Sequence, residues 1–406
     1  MVSVKQRNLI ILLLFFGWAI GNFDRYFINY AVLSITEDLQ LSPTSTGLIL
    51  SSFFAGYALM QIPGGWLADK FGSRRVLMVS VLMWSIFTAM TGAVWSLTSM
   101  IMIRFLFGIG EGGFQPSSSK LISQAFPLDK RAWAMSIMLS SGGIVALIVP
   151  LLSAHMLTTI GWRVSFFILG AIGILITALY WAFIKLPADS EDVVTTKPAG
   201  EKQQGIFIQL MKTPLMLNLF IAYYSIYAIN WGLATWLPTY LVNERGLDLI
   251  SLGWAQTIPG FAMVAAMYLS GYVIDKLPLG KEKIVGAVAC VVVSVLLYLM
   301  YNAPSVTIFV TYQTIVIFFI SFVMLLLPAI ILKRLPSAVT GTSMGIANTG
   351  GQLAGFITPL AIGFIVQTFN GSYNAAFGML IVFAVICTIS LLTLNYRKGA
   401  LLQTQG

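Results

Sequence analysis

Four charged residues stand where the sequence otherwise reads as hydrocarbon. Asp24 and Arg25 lie side by side in NFDRYFINY, between ILLLFFGWAI and AVLSI, and Arg104 and Glu111 lie in RFLFGIGEGGFQPS. Each costs about 2.5–3.5 kcal/mol at the centre of a membrane helix if left unpaired, and two of each sign can cancel. These types in this pattern suit proton and anion exchange. Desolvation raises the proton affinity of a carboxylate and a nearby guanidinium lowers it, so small changes in pairing move it toward neutral pH. When Asp24 or Glu111 takes a proton, an arginine loses its internal partner and can fork onto a substrate carboxylate. Proton and anion would then bind cooperatively and reciprocally.

Spacing sharpens the picture. Arg104 and Glu111 are seven apart, two helical turns, and so share a face about 10 Å apart. Asp24 and Arg25 are separated by roughly 100° around their helix. Arg25 shares a stripe with Asn22 and Asn29 that could line a cavity, whereas Asp24 points to a different neighbour. The bland alternative is a buried ion pair that only locks the first such helix to the fourth, a weak source of stability in itself.

The elements that must hold these residues follow from composition. Of 406 residues 58% are hydrophobic and 9% charged, against roughly 25% charged in a soluble domain. Twelve segments are long and apolar enough to cross lipid as helices: 9–33, 46–68, 76–96, 98–119, 134–157 and 163–184, then 215–242, 251–274, 284–302, 306–332, 342–368 and 373–395. The runs are continuous rather than alternating, which excludes a barrel. The expected architecture is all-α, with six helices in 1–184, a cytoplasmic linker over 185–214, and six helices in 215–406. Most of the 23 Lys and Arg fall at the termini, in the linker and in alternate loops, so both termini are expected in the cytoplasm. The net charge of +9 therefore reports topology and gives no reason to expect nucleic acid.

The halves repeat. Gly65-x-x-x-Asp69-Lys70 recurs 206 residues on as Gly271-x-x-x-Asp275-Lys276, and MSIMLSSGGIVALIVP (135–150) aligns without gaps with MGIANTGGQLAGFITP (344–359), 209 residues on. Two similar bundles rocking about a central site is the plan of many secondary transporters, among which the major facilitator fold is a standard example of internal repetition.

GGWLADKFGSRR resembles the signature loop of the major facilitator superfamily. NFDRYFINYA, SSFFAGYALMQIPGGW and RFLFGIGEGGFQPS resemble its anion:cation symporter branch, which includes bacterial hexuronate, aldonate and aldarate transporters and animal organic-anion transporters. The resemblance implies proton coupling at Asp24 and Glu111 and a substrate anion on Arg25 and Arg104. It also implies a monomer in the bacterial cytoplasmic membrane that imports a small organic anion with protons. Tyr57 and Gln61 match the branch's helix 2 pattern. Asn22, Tyr224, Tyr227 and Trp231, with Asn348, Thr349 and Gln352, are further candidates for cargo contact through ring edges, hydroxyls and amides. Aromatic packing is the plain alternative for any single ring. For Gly65, Asp69, Lys70, Arg74 and Arg75, with Asp275 and Lys276, the resemblance implies a gate that clamps the halves when the inner side is shut, ordinary basic cytoplasmic loops being the plain alternative. After Lys276 the second copy departs, with LPLGKEK in place of FGSRR.

Other chemistry finds no support. Gly108-x-Gly110-x-x-Gly113 spells a dinucleotide fingerprint but sits inside an apolar span, where glycines serve close helix packing and the bending that gating requires. His155 is the only histidine, and Cys290 and Cys387 lie in apolar runs, so neither a metal cluster nor a disulfide framework is expected. Neither a Walker A loop nor a nucleophile with its base is present, so no enzyme and no cofactor are expected. The rival readings are a facilitator for another cargo, such as phosphate, a dicarboxylate or an exported drug, and a transporter-like sensor or scaffold.

Overall fold

A computed structural model of the chain describes residues 3–184, 210, 213–278, 280–335 and 337–394. Among these residues the structure is helical and without strands. The helices are α1 (Val4–Asp38), α2 (Pro43–Phe71), α3 (Ser73–Thr91), α4 (Leu97–Gly112), α5 (Phe114–Ala125), α6 (Arg131–Thr159) and α7 (Gly161–Phe183). There follow α8 (Pro214–Asn243), α9 (Leu249–Lys276), α10 (Glu282–Tyr301), α11 (Val306–Arg334), α12 (Ser337–Thr368) and α13 (Asn374–Leu392). Most of the expected linker lies outside the described residues.

Serine begins several of these helices. Ser3, Ser42, Ser96 and Ser305 each accept from a backbone N–H of the first turn, filling one of the donors that a helix start leaves open. Several helices outrun the apolar windows, because hydropathy marks the stretch in lipid whereas the backbone keeps its hydrogen bonds beyond it. Thus α1 runs from Val4 to Asp38 rather than over 9–33. α4 and α5 form one crossing, Leu97–Ala125, interrupted at Gly113. Eleven crossings among the described residues are long and apolar enough to span a membrane. The remaining one, α8, is helical over 30 residues but carries Tyr223, Tyr224, Ser225, Tyr227, Asn230 and Thr235 in its middle, which lowers its hydropathy. Large apolar side chains stand exposed along most helices, Ile62, Leu175, Tyr268 and Phe364 among them, as a lipid-facing surface requires.

One compact unit holds α1 to α7 and residues Leu241–Thr257; the other holds α8 as far as Tyr240 and the described residues from Ile258 onward. In the first, α2 lies against α4, α1 against α6, and α3 against α4 and α7. The α2–α4 seam is set by glycine. A methyl group at Gly56 would lie 2.0 Å from the Phe105 carbonyl oxygen, one at Gly108 2.2 Å from that of Phe53, and one at Gly112 2.8 Å from that of Tyr57. Backbone therefore meets backbone. Gly110 faces the other way, toward Trp84 of α3, and Gly113 faces Ser80. The glycine run that imitates a nucleotide motif thus packs α4 between two neighbours at once. In the second unit α10 packs on α11 and α13. Gly350 and Gly351 of α12 meet α8 at Phe220, Tyr224 and the Tyr227 ring.

Candidate functional site

The four intramembrane charges pair crosswise between α1 and α4. Arg25 bonds the Oε1 atom of Glu111. Arg104 Nη1 donates to Asp24 Oδ1 at 3.0 Å, and the Thr88 hydroxyl of α3 donates to Asp24 Oδ2. Spacing explains the crossing: adjacent residues on α1 point about 100° apart, and residues two turns apart on α4 stand along one stripe, so each α1 charge meets a different level of α4.

The pairs differ in satisfaction and exposure. Both oxygens of Asp24 accept hydrogen bonds, and the Asp24 and Arg104 side chains are 3% and 1% exposed. Glu111 is also sealed, but its Oε2 has no hydrogen-bond partner among the described residues, and its partner Arg25 is 12% exposed. Arg25 is therefore the most exposed of the four. A bare buried oxygen costs about 1–3 kcal/mol, more if charged, so a proton on that atom lowers the cost by removing the charge. Space around the carboxyl is modest: a methyl group at Gly21 would touch it and the Trp84 ring at 3.7 Å.

Aromatic rings support the guanidiniums. Arg25 lies 4.8 Å from the Tyr57 ring centre, 4.9 Å from Phe53 and 6.0 Å from Trp18. Arg104 lies 4.5 Å from Phe107 and 5.9 Å from Phe53, so Phe53 serves both. Such contacts add roughly 0.5–2 kcal/mol each and keep a cation in place without neutralising it. The Tyr57 hydroxyl donates to Gln115 Oε1 at 3.4 Å. Tyr57 is buried and Gln61, a turn further on, is half-buried. Asn22 and Asn29 are buried, and the Asn22 amide is turned onto the Trp18 carbonyl.

The second-unit candidates are less gathered. Tyr224 and Tyr227 are half-buried, Trp231 is buried, and Tyr227 stacks on Tyr223 with ring centres 5.8 Å apart. Asn348 and Thr349 are exposed on α12, where the Thr349 hydroxyl bonds its own helix at Gly345. Gln352 is half-buried.

At the α2–α3 junction, Asp69 pairs with Lys120 of α5 at 3.0 Å, and Lys120 also donates to the Ala68 carbonyl at 2.9 Å. Lysine on the last turn of a helix meets both its free carbonyls and the negative end of its dipole. Arg74 does the same for α7, donating to the Trp181 carbonyl at 2.8 Å. Lys70 lies over the Trp66 ring, Arg75 is exposed, and Gly65 is half-buried. In the second unit Lys333 donates to the Ile274 carbonyl at 2.6 Å, Arg334 pairs with Glu282 at 3.1 Å, and Lys276 bonds the Tyr272 hydroxyl. The side chain of Asp275 lies outside the described residues.

Thr88, Lys120, Gln115 and Phe53 were not among the sequence candidates. Thr88 had a signal: with Ser80, Trp84 and Thr91 it forms a stripe at helical spacing on α3. Lys120 had none beyond its charge.

Taken together, the lipid-facing surface and the sealed polar cluster within it define a multi-pass membrane protein with an ionisable centre. The chain matches the model of the Major Facilitator Superfamily over residues 13–359. It is 32% identical to the probable galactarate/D-glucarate transporter of Escherichia coli (strain K12), covering 95% of this chain and 94% of the relative. It is 31% identical to the probable sulfoacetate transporter of Cupriavidus necator, over 92% of this chain and 90% of the relative. With the hexuronate transporter of Bacillus subtilis (strain 168) it shares 30% identity, over 95% and 94%. Among solved structures, a bacterial homologue of the human lysosomal transporter Spinster, inward-facing and occupied, superposes with a TM-score of 0.82 at 18% identity, covering 96% of this chain and 97% of the other. The chain belongs to the major facilitator superfamily. It is a transport protein and not an enzyme.

Proposed function

We propose that the protein is a proton-coupled symporter importing a small organic anion by alternating access, a sugar acid foremost: an aldarate, hexuronate or aldonate. The observation that carries this reading is the asymmetry of the Arg25–Glu111 pair. Its arginine is the more open member, and its carboxyl keeps one oxygen bare. A proton on Glu111 removes the charge that holds Arg25, and the freed guanidinium forks onto a carboxylate of the cargo. Tyr57, Phe53 and Trp18 hold the guanidinium in place during the exchange. Asp24 and Arg104 belong to the same electrostatic unit, and Arg104 reaches an anion only when its own pair opens. Asn22, Gln61, Tyr224, Tyr227, Trp231, Asn348 and Thr349 read the cargo's hydroxyls. Gly65, Asp69, Lys70, Arg74, Arg75, Asp275 and Lys276 work the inner gate, with both termini in the cytoplasm and the bacterial cytoplasmic membrane as the site of action. The working unit is a monomer.

Sugar acids as cargo are supported by the transporters of galactarate, D-glucarate and hexuronate among its relatives. The sulfoacetate relative favours a second reading, a short dianion without hydroxyls. Uptake into proteoliposomes under an inward proton gradient tests both. Galactarate, glucarate and glucuronate are expected to accumulate with alkalinisation of the outer medium, and neutral galactose is not. Galactose taken up equally well, or accumulation indifferent to the gradient, overturns the symport reading; sulfoacetate accumulated in preference to every sugar acid replaces the cargo.

A further inference from the structure

Thr88 departs from the habit of its own helix. On α3 the hydroxyls of Ser85 and Thr91 bond the carbonyls four residues back, at 2.6 and 2.9 Å, the usual resting place of a hydroxyl in an apolar helix. The Thr88 hydroxyl, buried between them, instead crosses to Asp24 Oδ2. With Arg104 on Oδ1, it completes the hydrogen bonding that Glu111 lacks.

We propose that Thr88 is a positioning residue of the transport reaction: its hydroxyl holds Asp24 on Arg104 in the ionised form, so that Glu111 exchanges the proton alone. A donated hydrogen bond favours the charged carboxylate, and losing it leaves an oxygen as bare as Glu111 Oε2. The groups facing the two acids come from every packed element. α1 contributes Arg25 and Tyr26, α2 contributes Tyr57, α4 contributes Arg104 and places the acids within each other's field, and α5 brings Gln115 to Tyr57. From α3 comes only the Thr88 hydroxyl, and among the described residues α6 and α7 bring no charge to either acid. Removing the hydroxyl therefore acts directly on Asp24 and reaches Glu111 only through the charge of Asp24.

The proposal rests on the symport reading but is tested without cargo. Infrared difference spectra of the reconstituted protein, recorded on acidification from neutral pH, are expected to show one buried carboxylic-acid band that Glu111→Gln removes and Asp24→Asn does not. Thr88→Val is expected to add a second band, absent again in Thr88→Val with Asp24→Asn. Thr88→Ser is expected to show the wild-type spectrum. In uptake assays Thr88→Val should displace the pH of half-maximal transport by roughly ten-fold or more in proton concentration, and Thr88→Ser should not. A band in the parent protein that Asp24→Asn abolishes would overturn the assignment, even if Thr88→Val failed to reconstitute. So would a Thr88→Val spectrum identical to the parent. Failure of the cargo reading would show separately, as absent sugar-acid uptake with the single band intact.

Discussion

The two halves carry the same frame with opposite interiors. α3 and α10 begin 209 residues apart, at Ser73 and Glu282, as do α4 and α11, at Leu97 and Val306 behind the serine caps Ser96 and Ser305. At that spacing Thr88 corresponds to Leu297, Arg104 to Gln313 and Glu111 to Ile320, and α8, the counterpart of α1, carries no charged residue at all. The charged cluster thus has an uncharged counterpart, in which Leu297, Gln313 and Ile320 are all buried. The fold therefore does not require the charges. A frame without these charges stands within the same chain, which supports the functional reading of the charges in the first half.

Experiments that equalise the halves test this difference. The largest effect is expected from Glu111→Gln, which copies the neutral character of Ile320: accumulation driven by a pH gradient should be abolished while exchange of labelled for unlabelled cargo persists. Retained uphill uptake would end the comparison. The reverse graft, Ile320→Glu, buries a charge without a prepared partner and should cost about 2.5–3.5 kcal/mol, read as loss of folded protein in detergent. Next comes Gly108→Ala, whose methyl group would lie 2.2 Å from the Phe53 carbonyl; overpacking a seam of this kind costs about 1–3 kcal/mol, read as a lowered unfolding temperature. The second half has Ile317 at the corresponding place and Ala262 opposite Gly56 by the 206-residue spacing, so no such seam is expected there.

A smaller effect belongs to the helix-end lysines. Lys120→Ala and Lys333→Ala each remove a donor to the last turn of another helix, α2 and α9 in turn, and each should cost about 0.5–1 kcal/mol by the same unfolding measurement. Asp69, the charged partner of Lys120, is 58% exposed, which keeps the ion-pair share small.

The smallest effect separates two helix starts. Ser42 caps α2, and 206 residues on Asp248 takes the corresponding place before α9. The Ser251 hydroxyl at 2.6 Å, with the Ser251 and Ile250 amides, holds the Asp248 carboxyl below the usual carboxylate range. A carboxyl so lowered stabilises the folded form above its unfolded titration, about pH 3.9, and the contribution is lost as pH falls through the folded value. Amide exchange at Ile250 and Ser251, corrected for intrinsic rate, should quicken on acidification below about pH 4, while that at Ser45 should not.

How much of this was legible beforehand follows from which physics acts locally. Hydropathy exposes the spans, because lipid acts on each segment separately. The 100° between Asp24 and Arg25 already separates their partners, and the glycine run of α4 already reads as packing. Which acid takes which arginine depends on where α1 crosses α4, and no spacing within one helix contains that. Thr88 needed a third helix. Lys120 reaches Ala68 across 52 residues of sequence, through a break at Gly113 that the apolar window runs over without notice. The aromatic residues of α8 satisfied the helical pattern, yet their tally of hydroxyls and amides takes that helix below the hydropathy of the other crossings.

Where α2 and α4 meet main chain to main chain, no layer of side chains lies between them to slide or repack. Such a joint has a single register and no soft coordinate. Arg104 and Glu111 on one wall and Phe53 and Tyr57 on the other are thereby fixed in one slab.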